Sequence, residues 1–98
     1  IQKLNNGRLH IIYGTSADKD VLSILQLFPK DANYYFTEFS NDRSINIDLL
    51  KSYSEQIWKT NCKFFTDPNI ALADAQLHAN HEDTIVVIGS FFLISDFF

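Results

Sequence analysis

"LHIIYGTSADKDVLSILQLFP", residues 9 to 29, decides the fold. Leu9 to Tyr13 is a short apolar run rich in β-branched and aromatic residues, and Gly14 stops it, which reads as a strand ending in a turn. From Asp18 the period changes. Val21, Ile24, Leu25 and Phe28 fall at i, i+3, i+4 and i+7, the apolar stripe of a helix, and Pro29 ends it. Strand, polar loop and helix in this order are the first half of a βαβ unit. One residue in the loop is odd. Lys19, between Asp18 and Asp20, is expected in the first turn of the helix, where the positive end of the macrodipole disfavours a cation by a few tenths of a kcal/mol to about 1 kcal/mol.

Working outward, the pattern repeats. Tyr34–Thr37, Cys62–Phe65 and Thr84–Ile88 read as three more strands. "TIVVIG", residues 84 to 89, is apolar on both faces, as in a strand covered on both sides of a parallel sheet. Ile47, Leu50, Tyr53 and Ile57, with Trp58 beside them, give a second helix. "DPNIALADAQLHAN", from 67, gives a third, with Asp67 as N-cap, Pro68 at N1, and Ile70, Ala73 and Leu77 as its expected packing stripe. "SFFLISDFF", from 90, reads as one more helix. The order β-α-β-α-β-α-β-α implies right-handed crossovers and a Rossmann-like, three-layer α/β domain with a mostly parallel sheet. "IQKLNNG", residues 1 to 7, reads as the last turn of a helix stopped at Asn-Gly. The expectation is therefore one domain over 1–98, a piece that lacks its first strand.

Composition narrows the class. The chain has 98 residues, 46% of them hydrophobic and 20% charged, with nine Phe and four Tyr, as suits one small domain with an aromatic core. A net charge of −4 without a basic block gives no footprint for nucleic acid. No apolar run is long enough to span a membrane. One cysteine, Cys62, excludes an internal disulfide and fits a reducing, cytoplasmic setting; its place in a strand makes it a core residue. Three glycines cannot write a Walker loop or a dinucleotide loop. His78 and His81 are not joined by a Cys or carboxylate cluster, so no metal site is expected. "IGSFF" is not the elbow of a serine hydrolase.

In open α/β sheets ligands bind beyond the carboxyl ends of the strands. Here those ends carry "GTSADKD", "EFSNDRS", "TDPN" and "GSFF". Lys19 is either a solvated lysine eased by its aspartates or a cation held for an anionic substrate. Arg43, with Asn41, Asp42 and Ser44 around it, is either a surface residue in a turn or a planar fork for a carboxylate or phosphate. Ser90 after Gly89 is an N-cap and, at the same time, a ready anion contact.

Taken together, "HIIYGTSADKDV", "YYFTEFSNDRS", "IALADAQLHA" and "DTIVVIGSFFLISDF" resemble, in order and spacing, the C-terminal domain of the bifunctional dihydrofolate synthase/folylpolyglutamate synthase family, within the Mur-ligase superfamily. The resemblance implies an ATP-dependent ligase that activates a folate-side carboxylate as an acyl phosphate, which the amino group of L-glutamate then attacks. It implies glutamate-binding roles for Lys19, Asn41, Arg43 and Ser90, with Asp18 and Asp20 supporting the loop. Asp42 stands where the family's Asn-Pro-Arg-like loop has proline. The resemblance also implies that ATP and Mg2+ are bound mainly by domains outside these residues, including an N-terminal ATPase domain and a motif upstream of Ile1. Folate or dihydropteroate is the other substrate, no catalytic residue lies in this stretch, and the stretch alone is inactive. Two other readings stand beside it: a peptidoglycan-precursor Mur ligase, and a non-catalytic α/β interaction module.

Overall fold

The computed structural model describes residues 7–16, 20–29, 31–39, 44–57 and 62–89. They form β1 (Leu9–Gly14), α1 (Val21–Gln26), β2 (Asn33–Thr37), α2 (Ile47–Glu55), β3 (Cys62–Phe65), α3 (Pro68–His78) and β4 (Thr84–Gly89). All strand pairs are parallel and the sheet order is β3-β2-β1-β4. The α/β class and the alternating order are as the sequence predicts. The helix expected from 90 and Trp58 lie outside the described residues.

Strand alternation sorts the core into two layers. Ile11, Tyr13, Tyr34 and Phe36 face α1 and α2, where they bury Val21, Leu25, Ile45 and Leu50. Each such aliphatic side chain contributes roughly 1.5–3 kcal/mol of transfer free energy. This layer is aromatic: Phe28 meets Tyr13 edge-on at 5.1 Å, Tyr34 stacks on Phe36 at 5.5 Å, and Phe36 on Phe64 at 5.5 Å. Ile12 and Tyr35 face the other way, against Ala71 and Ala75 of α3.

Four expectations need correction. The buried face of α3 is Pro68, Ala71 and Ala75, while Ile70 and Leu77 are 58% and 80% exposed. Bulky Ile12 and Tyr35 fill the space over the sheet, so the helix can approach only through its alanines. β4 is an edge strand of the described sheet, and Ile85 to Ile88 are half-buried rather than fully covered. Cys62 is half-buried at the start of the opposite edge strand, its thiol pKa pushed up to about 11 by burial. α1 begins at Val21 with Asp20 in the N-cap position, so Asp20 stands before the helix rather than in its first turn, and Asp18 and Lys19 lie outside the described residues. The Asp67 cap is as expected: its side chain accepts from the Asn69 amide at 2.9 Å and Pro68 follows.

Candidate functional site

A parallel sheet gathers the carboxyl ends of its strands on one side, here Gly14, Thr37, Phe65 and Gly89. From β1 the chain steps through β2 to β3, then crosses back to lay β4 on the far side of β1. The topological switch point therefore lies between β1 and β4, the place where open α/β sheets hold ligands. At that point Gly14 and Gly89 are register partners, so neither of the two paired residues carries a side chain. Gly89 has a φ of 154°, a conformation that favours glycine.

The loops around this point are strapped together. Ser16 and Ser44 form an isolated antiparallel bridge, and the Ile45 amide donates to the Thr15 carbonyl at 2.9 Å. The Phe39 amide donates to Ser44 Oγ at 3.1 Å, which ties the two sides of residues 40–43. Behind this strap, Glu38 accepts from the Ile47 amide at 2.7 Å and Asn46 from the Asp48 amide at 2.8 Å, so two side chains hold the start of α2. The strap brings the loop after β1 against the loop after β2.

Of the predicted site residues, Asp18, Lys19, Asn41, Arg43 and Ser90 lie outside the described residues. Their described neighbours, Ser16, Asp20, Phe39, Ser44 and Gly89, are the residues that form or flank the strap and the switch point. Asp20 accepts from Ser23 Oγ at 2.9 Å, which fixes it at the opening of α1. Beneath the strap the Tyr13 hydroxyl is buried without a hydrogen-bond partner of normal geometry among the described residues. Burial pushes its pKa up and the nearby Thr15 hydroxyl draws it partly back. Among the described residues no group of three or more His, Cys, Asp or Glu side chains could hold a metal ion.

The opposite end of the sheet holds a network that the strand pattern alone does not reveal. His10 is 1% exposed; its Nε2 lies 2.8 Å from Asp83 Oδ2 and its Nδ1 3.0 Å from Tyr35 Oη. Asp83 also accepts from the amides of Arg8 at 2.7 Å and Asn80 at 3.0 Å. These amides, then the His10 ring, lower its pKa from 3.8 to about 2. A carboxylate that only accepts requires the Nε2 proton on His10, which leaves Nδ1 to pair with the Tyr35 hydroxyl. Burial, followed by the carboxylates of Asp74 and Asp83, pushes the Tyr35 phenol pKa up, so it stays a donor. Gly7 packs so tightly against this corner that a Cβ would sit 2.1 Å from the Glu82 carbonyl oxygen. Period-2 alternation was the available signal: it turns His10 to the side of Ile12, where a buried imidazole needs partners.

No family model matches the chain. It is 32% identical over 92 residues to the dihydrofolate synthase/folylpolyglutamate synthase of Buchnera aphidicola subsp. Schizaphis graminum, a match that covers 93% of this chain and 21% of that protein. The chain is thus similar to a stretch of the dihydrofolate synthase/folylpolyglutamate synthases. Those enzymes belong to the Mur-ligase superfamily. The ligand-free bifunctional synthase from Yersinia pestis superposes with a TM-score of 0.79 at 20% identity, over 97% of this chain and 22% of that one. A bifunctional synthase solved with Mn, AMPPNP and L-glutamate bound gives 0.76 at 18% identity, over 98% and 22%. Folylpolyglutamate synthase from Mycobacterium tuberculosis, complexed with ADP and AMPPCP, gives 0.65 at 17%, over 91% and 22%. The structural likenesses establish the fold, and the chain spans about a fifth of the length of the synthases it matches.

Proposed function

We propose that this chain is the C-terminal, amino-acid-receiving domain of an ATP-dependent amide ligase that adds L-glutamate to dihydropteroate or folates. The observation that carries the reading is the open switch point between Gly14 and Gly89, with the loops after β1 and β2 strapped beside it. The kinship with folylpolyglutamate synthases supplies the reaction, and a neighbour solved with L-glutamate and AMPPNP supports the substrate.

In this reading ATP converts a folate-side carboxylate to an acyl phosphate, the glutamate amine attacks it, and phosphate leaves. The nucleotide and its divalent cation are held mainly by residues beyond these 98, including an N-terminal ATPase domain of the same polypeptide. This domain's task is to bind and aim the amine. Lys19 sits beside a carboxylate of the incoming glutamate, and the fork of Arg43 grips a carboxylate with two parallel hydrogen bonds. Asn41 and Ser90 complete the polar contacts, and Asp18 and Asp20 hold the Lys19 loop. Absence of side chains at positions 14 and 89 lets the substrate reach the sheet end. Closure of this domain over the nucleotide domain excludes water from the acyl phosphate and brings the amine into line. The 98 residues alone do not turn over.

The test is phosphate release by the full polypeptide with ATP, Mg2+, L-glutamate and either dihydropteroate or tetrahydrofolate, beside Lys19→Ala and Arg43→Ala. Glutamate-dependent release that falls about a hundredfold in Lys19→Ala, the scale of losing one preorganised charged contact, is the expected result. Undiminished release in Lys19→Ala removes the lysine from the site, and no release with either pterin substrate rejects the folate reading.

A further inference from the structure

Tyr13, Tyr34 and Tyr35 are all buried in the two central strands, and two of their hydroxyls are accounted for. Tyr34 donates to the Pro29 carbonyl, and Tyr35 pairs with His10 Nδ1 at 3.0 Å. Tyr13 is different. It is 2% exposed, and among the described residues its hydroxyl is the buried side-chain polar atom that no well-formed hydrogen bond satisfies. Packing does not explain that oxygen. The ring meets Phe28 edge-on at 5.1 Å and Phe36 at 6.2 Å, contacts that a phenylalanine would make equally well. A buried hydroxyl without a partner destabilises the arrangement that contains it, which calls for another arrangement in which it is bonded.

Its place in the sheet identifies the partner. Tyr13 is the last side chain of β1 before Gly14, at the end where the switch point lies. Strand alternation carried past Gly14 turns Thr15 to the same side, and the Thr15 hydroxyl stands beside the phenol, close enough to draw its pKa down. Thr15 also begins the strap. Its carbonyl accepts from the Ile45 amide at 2.9 Å, Ser16 bridges to Ser44, and Thr15, Ser16 and Ile45 are buried. The β1 ladder, Phe28 and Phe36 hold Tyr13 in place, so a movement of the strap is a movement of Thr15 relative to that hydroxyl.

We propose that Tyr13 is a positioning residue for the amino-acid substrate, whose hydroxyl bonds to Thr15 Oγ1 once the strap seats on bound L-glutamate. The inference rests on the reading of the chain as the glutamate-receiving domain. The bond is not formed in the strap as it stands and is formed in the loaded strap, so its free energy counts toward glutamate binding. Removing the hydroxyl relieves the first arrangement of an unpaired group and takes a bond from the second. Both changes weaken binding while the ring stays packed.

The test is phosphate release by the full polypeptide with ATP, Mg2+ and the pterin substrate saturating and L-glutamate varied, beside thermal melts without glutamate. The variants are Tyr13→Phe, Thr15→Val and the two combined. Tyr13→Phe and Thr15→Val should each raise KM for L-glutamate by roughly tenfold, the scale of one hydrogen bond, with kcat within about twofold of the wild type. The double variant should do no more than either single one, because both remove the same bond. The melting temperature of Tyr13→Phe should be unchanged or higher, which a merely structural hydroxyl would not give. A wild-type KM in Tyr13→Phe overturns the proposal, as it would if a fixed water satisfied the hydroxyl in every state. Effects that multiply in the double variant, or a fall in kcat together with the melting temperature, overturn it too. A wild type without glutamate-dependent release rejects the ligase reading itself and this inference with it, an outcome distinct from an active wild type matched by Tyr13→Phe.

Discussion

The two ends of this sheet solve opposite problems. At the amino end every side-chain polar atom of His10 and Asp83 has a partner, and those partners come from Arg8 just before β1, from β1, β2 and the turn before β4. At the carboxyl end two glycines face each other, a buried tyrosine hydroxyl lacks a well-formed bond among the described residues, and the loops are tied at Ser16 and Ser44. Fully satisfied buried networks rigidify a fold, whereas binding loops come from its less stable parts. The difference teaches that the fold fixes its strands through side-chain partners at one end and ends them on facing glycines at the other.

Predictions that would break this comparison can be ranked by size. His10→Ala removes a buried ring and strips partners from Tyr35 and Asp83, so it should cost about 3 kcal/mol in a urea melt; a loss below about 1 kcal/mol would mean the network holds little. Ala75→Leu should cost about 1–3 kcal/mol, because α3 meets Ile12 and Tyr35 there without room for more atoms. Leu77→Gln, two residues on but 80% exposed, should stay within about 0.5 kcal/mol. Equal effects at 75 and 77 would refute the alanine face.

The two tyrosines sharpen the contrast further. Tyr35→Phe leaves a buried imidazole nitrogen without its hydrogen-bond partner and should cost about 1–2 kcal/mol. Tyr13→Phe removes a hydroxyl that lacks a well-formed bond, so stability should hold or rise slightly. Acid reads the same network through Asp83. Its folded pKa, about 2, lies below the ordinary 3.8, so its contribution is present above the ordinary value and is lost as pH falls from 3.8 toward 2. Urea melts between pH 2 and 6 should show that loss in the wild type and a flatter curve in Asp83→Asn; identical curves would remove Asp83 as the acid-sensitive group.

Much of the fold was legible because periodicity and punctuation agree. Gly14, Pro29 and Asp67-Pro68 bound their elements where local chemistry says they should, and the strands differ from expectation by a residue at most. The face of α3 was not legible. Ile70, Ala73 and Leu77 look like a stripe until the partner surface is known, and Tyr35 leaves room only for alanine. β4 misled for a related reason: its sequence describes a covered strand, while the described sheet leaves it at an edge. The His10 network escaped because its members are 25 and 73 residues apart and meet only through the parallel register. For the candidate site, the sequence named the loops, and the register adds the facing glycines and the Ser16–Ser44 bridge. Asp18, Lys19, Asn41, Arg43 and Ser90 remain proposals, carried by kinship and by the residues that flank them.

The most direct measurement sets one change from each end side by side in the full polypeptide: kcat/KM for L-glutamate and the melting temperature of Lys19→Ala and Tyr35→Phe. Lys19→Ala should lower kcat/KM about a hundredfold and leave the melting temperature near that of the wild type. Tyr35→Phe should lower the melting temperature and leave kcat/KM unchanged at temperatures where it is folded. A Lys19→Ala enzyme with full glutamate efficiency, or a Tyr35→Phe enzyme that loses efficiency without losing stability, would contradict the division of labour between the two ends.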